Sequence, residues 1–294
     1  MMFTASLAIT TYNWPEALEL SLESVLKQTV LPKEVLVADD GSTKPTRELI
    51  ERLKPRFNAA GCPLIHCWQE DKGFRAARGR NLALAQASGD YMIYIDQDMV
   101  MEKHFIQDHI EVAEKGVFVA GIRVKINEKY TRRMIEKKDF WPRLFGPGVK
   151  FDRSLGTVRS KFLRCGRRSP VEITGDKVFG CNMAFWRTDA IAINGFNHEF
   201  IGWGPEDKEF YIRLANRFGT KRRLLKHAAV AFHLHHPELS RAQLKANQDL
   251  YWEMVNKKLQ YCRLGLNEFF DNSHNIPQHM ETLLYLGMKQ DKAA

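Results

Sequence analysis

The apolar run Tyr91-Met-Ile-Tyr-Ile95 ends in Asp96-Gln97-Asp98. A strand of Tyr, Met and Ile buries itself in a sheet, so its carboxyl end holds two carboxylates side by side where the chain meets solvent. Like charges that close repel unless a cation sits between them. A divalent cation with a preference for oxygen suits such a pair and bridges readily to phosphate. The implied chemistry is a metal–diphosphate site, and with it a nucleotide-activated substrate; the same pattern also serves as a capped turn. Two further groups could join it. Ala231-Phe-His233-Leu-His-His236 offers imidazole ligands, and Gly202-Trp203-Gly204-Pro205-Glu206-Asp207 opens a helix with two carboxylates that either cap it or act in proton transfer.

The elements that must position these groups alternate between strand-like and helix-like periods. Ser6–Thr10 reads as a strand. Asn13 and Pro15 signal a helix start, followed by Leu18, Leu22, Val25 and Leu26 at helical spacing. Val35–Asp39 is a buried strand, Thr46–Phe57 a helix, Leu64–Trp68 a strand, Arg75–Ser88 a helix and Tyr91–Ile95 the fourth strand. Four strands joined by helical crossovers imply a parallel sheet covered on both faces. Ligands of such sheets bind outside the carboxyl ends of the strands, where the polar clusters Thr10-Thr-Tyr12-Asn13, Asp39-Asp40, Glu70-Asp-Lys-Gly73 and Asp96-Gln-Asp98 all fall. Beyond them come a helix at Glu102–Glu114, a strand-like stretch at Val117–Val124, a mixed strand at Val178–Trp186, a helix at Pro205–Phe218, a strand at Ala228–Leu234 and an amphipathic helix at Ser240–Arg263.

Composition sets the class. The chain has 294 residues, 44% hydrophobic and 27% charged, as in ordinary soluble globular proteins. No apolar run approaches the ~20 residues of a membrane span, and the first residues show no secretory signal. The five cysteines are scattered, with no close pair of zinc-ligand spacing, and read as free thiols of a reducing cytosol. The net charge is +9, yet Gly121–Pro170 alone holds fifteen Lys or Arg against four Asp or Glu, an excess of +11 that leaves −2 elsewhere. Such a segment is either a solvated loop or an attractor of phosphate-rich partners.

The motifs Thr10-Thr-Tyr-Asn13, Asp39-Asp-Gly-Ser42, Gly73-Phe-Arg-Ala-Ala-Arg78-X-X-Asn81 and Asp96-Gln-Asp98 resemble those of family 2 inverting glycosyltransferases of the GT-A fold. The second half, through Phe179-Gly-Cys-Asn-Met-Ala184, Asn194-Gly-Phe196, Gly202–Asp207 and His233, is similar to galactosyltransferase and N-acetylgalactosaminyltransferase domains, including the chondroitin polymerase type. The resemblance runs from about Ala5 to His236. It implies an α/β GT-A fold with a mostly parallel central sheet and a Rossmann-like nucleotide-binding half. It divides the chain into a UDP-sugar-binding half at 1–120, an acceptor-binding and catalytic half at 121–238 and a helical extension at 239–294.

The resemblance also distributes roles. Thr10, Tyr12 and Asn13 line the base and ribose pocket, and Asp39 and Asp40 accept hydrogen bonds from uracil and ribose. Arg78 and Asn81, on one face of a helix, hold sugar or diphosphate, whereas Arg75 and Arg80 are surface charges. Asp96 and Gln97 contact ribose or sugar. Asp98 ligates the metal with His233, an Mn²⁺ or Mg²⁺ ion; strand alternation puts His235 on the same face if the strand lasts that long. Asp207 is the general base, Glu206 binds sugar hydroxyls, and Trp203 with Gly202 and Gly204 forms the acceptor platform. Pro205 departs from the commoner Trp-Gly-Gly-Glu-Asp form, and proline is tolerated in a first helical turn.

The expected activity is metal-dependent transfer of a hexose or N-acetylhexosamine (Gal/GalNAc or Glc/GlcNAc) from a UDP-sugar to a hydroxyl of a glycan or lipid-linked glycan. The expected location is cytoplasmic, with the basic segment at an anionic membrane surface. Two other classes compete with it. A sugar-nucleotide nucleotidyltransferase normally carries a Gly-rich basic loop after its first strand, and Thr10-Thr-Tyr-Asn-Trp14 has no glycine. A non-enzymatic module would bind anionic lipid or nucleic acid through residues 121–170; no nucleic-acid partner is expected.

Overall fold

In the computed structural model the described residues are 3–139, 148–149, 168–169, 178–237 and 240–270. The first half follows the expected alternation: β1 (Ala5–Thr11), α1 (Pro15–Val25), β2 (Glu34–Asp39), α2 (Lys44–Ala59), β3 (Leu64–Trp68), α3 (Ala76–Gln86) and β4 (Tyr91–Asp96). Then come β5 (Met99–Met101), α4 (Phe105–Val112), β6 (Val117–Ala120), β7 (Arg123–Lys125), α5 (Glu128–Lys137), β8 (Arg168–Ser169), β9 (Asn182–Trp186), α6 (Arg187–Ala192), α7 (Glu206–Phe218), β10 (Lys221–Leu224), β11 (Ala231–His233) and α8 (Leu244–Asn256).

Among the described residues eight strands form one sheet in the order β3-β2-β1-β4-β9-β6-β10-β8. The first four are mutually parallel. β9 runs antiparallel between β4 and β6. The order reverses direction between β1 and β4, and such a switch point opens a crevice at the strands' carboxyl ends. Thr10 lies opposite Asp96 there, so the polar end of β1 is in register with the Asp-Gln-Asp turn.

The sequence-level reading missed the second sheet, of order β5-β11-β7. The stretch expected as one strand at Val117–Val124 breaks after Ala120, and its second part joins this small sheet instead. Three-residue strands carry too little periodicity to be read alone. Their pairing has a consequence for the site. His233 is in register with Met99, and Leu234 N donates to Asp98 O at 2.9 Å, so the small sheet carries the histidine segment to the end of β4.

The core fills both faces of the large sheet. One cluster packs Leu7, Ile9, Val35, Val37, Ile93 and Ile95 beneath α1 and α2. The other includes an aromatic block in which Phe196 and Phe210 stack at 4.2 Å and Tyr94 and Phe185 at 5.5 Å. The helix expected at Ser240–Arg263 is shorter. Lys258 takes a left-handed φ of 50°, and its N–H and that of Leu259 return to Val255 O and Met254 O, which ends the helix. Tyr251 and Met254 of this helix are buried in the same aromatic cluster, so α8 packs onto α7.

No helix of the described residues is long and apolar enough to cross a membrane. Cys62, Cys67, Cys181 and Cys262 are free and buried. Most of the basic segment, Cys165 included, lies outside the described residues.

Candidate active site

The crevice is knitted together by side chains at the ends of β1, β2, β3 and β4. Thr10 Oγ1 donates to Asp96 Oδ1 at 2.6 Å. The Gln97 amide accepts from Thr11 Oγ1 at 2.5 Å and donates to Tyr12 O at 3.1 Å, latching the Asp-Gln-Asp turn to β1. Tyr12 remains exposed, and its hydroxyl donates to Asp71 Oδ2 at 2.9 Å, a residue of the Glu70–Gly73 cluster to which the sequence assigns no role. Gly41, at φ 96°, lets the Asp71 backbone approach so closely that a Cβ would lie 2.5 Å from it. Asn13 also has positive φ, and instead of capping α1 its carboxamide accepts from Thr43 N and Thr43 Oγ1, both at 2.9 Å. The cap position of α1 falls on Trp14.

Asp39 and Asp40 sit side by side with different partners. Asp39 is wholly buried, with Oδ1 accepting from Ser42 N at 2.8 Å and Oδ2 lying 2.7 Å from His66 Nε2. Asp40 accepts from Arg75 N at 2.6 Å and from Gln69 Nε2; burial pushes its carboxyl up from the usual range. Gln69 in turn accepts from Arg78 Nη1 at 2.7 Å, so the chain Asp40–Gln69–Arg78 joins two residues expected in the donor pocket. The Arg78 guanidinium lies 4.7 Å from the Phe269 ring.

Two residues of the same helix are placed differently from expectation. Asn81 is fully buried: its Nδ2 donates to Phe196 O at 2.7 Å and its Oδ1 accepts from Phe196 N at 2.8 Å. It clamps the Asn194-Gly195 turn, whose residues both take φ 67°, and presents no free group to the crevice. Arg80, expected as a surface charge, is 5% exposed. Its Nη1 donates to Glu206 Oε1 at 2.7 Å, and its Nη2 lies 3.9 Å from Asp96 Oδ1. Helix periodicity could have placed it, since Arg80 falls one turn from Ala77 and Leu84 on the buried face.

At the turn's far end, Asp98, His233 and His236 offer ligand atoms within 4.8 Å of one another. Asp98 Oδ2 is 3.3 Å from His233 Nε2 and 3.1 Å from His236 Nε2. The strand expected to carry His235 onto this face ends at His233. The chain then turns, His235 N donates to Thr131 Oγ1, and His236 comes round in place of His235. Burial pushes His233 down and the Asp98 hydrogen bond pushes His236 up. Asp98 Oδ1 is buried with no hydrogen-bond partner among the described residues. A buried orphan carboxylate oxygen beside two imidazoles fits a divalent cation that accepts mixed oxygen and nitrogen ligands. Arg123 of β7 faces this region, donating to Cys181 Sγ at 3.2 Å.

The Gly202–Asp207 loop stands over the crevice. Pro205 occupies the cap position of α7, just ahead of its first turn. Glu206 Oε2 is buried and unpartnered among the described residues, while Asp207 Oδ2 accepts from Gly180 N at 2.6 Å. Burial, reinforced by the adjacent Glu206 carboxylate, pushes Asp207 up to about 7. Trp203 is exposed, with the Arg241 guanidinium 5.3 Å from its ring. Asn247 of α8 holds the loop, its Nδ2 donating to Ile201 O at 2.9 Å and Trp203 O at 3.0 Å. A side chain at Gly204 would collide with Asn247, with a Cβ 2.7 Å from its Nδ2.

Residues 6–173 match the family model of glycosyl transferase family 2. The chain belongs to that family. Residues 161–237 match a second model, described as the N-terminal domain of galactosyltransferase. A chondroitin synthase of Escherichia coli is 26% identical over 273 residues, covering 87% of this chain; the chain spans 38% of that enzyme's length. Two solved structures share the GT-A fold. S. aureus TarS (residues 1-349) in complex with UDP-GlcNAc superposes with a TM-score of 0.59 at 17% identity, over 97% of this chain and 71% of that one. GalNAc-T7 with UDP, GalNAc and Mn²⁺ gives 0.53 at 16% identity, over 81% and 44%. This family 2 chain thus has the α/β architecture, the mainly parallel sheet and the glycosyltransferase class its motifs imply.

Proposed function

We propose that this family 2 glycosyltransferase moves a hexose or N-acetylhexosamine from a UDP-sugar to a glycan hydroxyl, with inversion at the anomeric carbon. The observation that carries the reading is the convergence of His233 and His236 on one oxygen of Asp98, whose other oxygen is buried without a hydrogen-bond partner among the described residues, at the switch point of the sheet.

The nucleoside occupies the end of β1 and β2, with Tyr12 against the base and Asp39 and Asp40 near uracil and ribose. Asp98, His233 and His236 would hold a divalent cation, Mn²⁺ or Mg²⁺, which when bound neutralises charge developing on the departing diphosphate. Arg78, fixed by Gln69, supplies positive charge on the same side. Glu206, with one oxygen on Arg80 and the other unpartnered, accepts a hydrogen bond from a sugar hydroxyl. Asp207 takes the proton of the acceptor hydroxyl as that oxygen attacks C1 from the face opposite UDP; the C1–O bond breaks and its electron pair leaves with the diphosphate. Proton transfer of this kind contributes about 10²- to 10⁴-fold. Trp203 packs against the acceptor sugar.

The acceptor is a glycan, free or lipid-linked. The excess positive charge at 121–170 supports an anionic surface or acceptor on that side. Flotation with vesicles separates these: recovery that ignores anionic lipid content removes the membrane version. The activity itself is tested by incubating the purified protein with a panel of UDP-sugars and Mn²⁺, with and without chelator. Release of UDP from at least one donor is expected, and release from none overturns the reading.

A further inference from the structure

We propose that Arg80 is a positioning residue of the transfer step: its buried guanidinium bolts the Asp96-Gln-Asp98 turn to the Gly202–Asp207 loop and sets a permanent positive charge beside Asp207. The transfer step rests on the function proposed above; the bolt itself is read from contacts.

Arg80 and Glu206 are 126 residues apart, yet their side chains meet at 2.7 Å inside the protein. The second fork nitrogen points toward Asp96 Oδ1, which Thr10 also holds. The guanidinium is packed as tightly as it is bonded. The Phe196 ring lies 5.5 Å from its central carbon. On another side the backbone of Gly180 closes in, where any Cβ would sit 2.5 Å from Nη2. Gly180 also donates its N–H to Asp207, so a single glycine spaces the arginine and orients the carboxylate. On the α3 side, Tyr94 OH donates to Arg80 O at 3.0 Å and fixes the helix turn that carries the side chain.

Burying a guanidinium is costly unless its partners are in place, and here the partners belong to two motifs that must act on one substrate. Asp96 lies in the turn that holds the donor, and Glu206 lies at the start of the helix that carries the base. A shift of about 1 Å between such groups can cost ~10²-fold in rate. The groups that act on Asp207 come from every side: the Glu206 carboxylate and the Lys208 backbone N–H on its own helix, the Arg80 guanidinium of α3, the Gly180 N–H before β9, and Tyr251 of α8. Glu206 opposes ionisation of Asp207 and Arg80 favours it. Without the arginine, two adjacent carboxylates would tend to share one proton, so Asp207 would hold its proton to higher pH and accept less readily from the incoming hydroxyl at neutral pH.

The test compares Arg80→Lys and Arg80→Met with wild type by thermal melting, by kcat and KM for the UDP-sugar against pH, and by the pH titration of the Gly180 amide in ¹⁵N-glycine-labelled protein. Lysine keeps the charge but reaches one carboxylate at a time. R80K should lower kcat about 10- to 100-fold, leave KM for the donor within about threefold, and leave the titration midpoint of Gly180 near that of wild type. R80M should move that midpoint, and the ascending acid-side limb of the rate profile, upward by about one pH unit or more. If R80M does not fold, the double variant R80K/E206Q decides: a shared bolt predicts a rate no lower than that of the worse single variant, and losses that multiply overturn it. An unmoved Gly180 titration in folded R80M, or full activity in R80K, also overturns it. Failure of wild type to use any UDP-sugar would sink the transferase reading, while the Gly180 titration would still decide the role of Arg80.

Discussion

His236 Nε2 lies 3.1 Å from Asp98 Oδ2, and His233 Nε2 lies 3.3 Å from the same oxygen. One carboxylate therefore has an imidazole on each of two sides, although His235 stands between them in sequence and points elsewhere. If these three side chains hold the cation, H236A should weaken Mn²⁺ binding about as much as H233A, by roughly tenfold or more, and D98N more still. H235A should bind like wild type. Electron paramagnetic resonance of free Mn²⁺ during titration measures all four. Equal affinity of H236A and H235A would exclude His236.

Asp207 is the group whose ionisation should set the pH response. Its carboxyl is pushed up to about 7 by burial and by Glu206, so the transfer rate should rise with pH through that region as the base loses its proton. Asp207→Asn should lose about 10²- to 10⁴-fold in kcat while UDP binding, followed calorimetrically, stays close to wild type.

The same group makes an opposite demand on stability. A folded carboxyl that keeps its proton above the unfolded range of about 3.9 favours folding below that range. That contribution is lost as pH rises through about 7. D207N removes the charge that burial disfavours, so it should melt higher than wild type at pH 8 and lose this advantage at pH 4. Melting curves of both proteins across pH check the sign; an advantage that is largest at low pH would contradict it.

Asn81 was expected to touch the donor and is instead a strut. Asn81→Ala leaves the buried backbone groups of Phe196 unsatisfied, each at a cost of about 1–3 kcal/mol. The expected result is a clear drop in melting temperature with little change in UDP affinity for the folded protein. A loss of UDP affinity at unchanged stability would return Asn81 to the donor site.

Asn247 ties α8 to the loop that carries Trp203. Asn247→Ala should release that loop, raising KM for the acceptor and speeding amide exchange at Ile201–Gly204, while hydrolysis of the UDP-sugar in water is little affected. W203A should reproduce the KM effect without the change in exchange.

Much of this protein could be read from its residues in order. Strong periodicity and punctuation at Val35–Asp39, Leu64–Trp68 and Tyr91–Ile95 located the parallel strands, and a strand's end is where polar residues can meet solvent. That was enough to place Thr10, Asp39-Asp40 and Asp96-Gln-Asp98 along one edge and to imply a nucleotide-sugar site. What one dimension could not fix was which distant groups would share a single point in space. Three-residue strands such as β5, β7 and β11 carry no period, yet their pairing delivers His233 to Asp98, and the turn after β11 exchanges His235 for His236. Likewise Arg80 and Asn81 are neighbours with similar helical surroundings. Helical spacing puts Arg80 on the buried face, but only packing against Phe196, Gly180 and Glu206 makes one an electrostatic bolt and the other a strut, because charge pairing depends on contacts that sequence spacing does not contain.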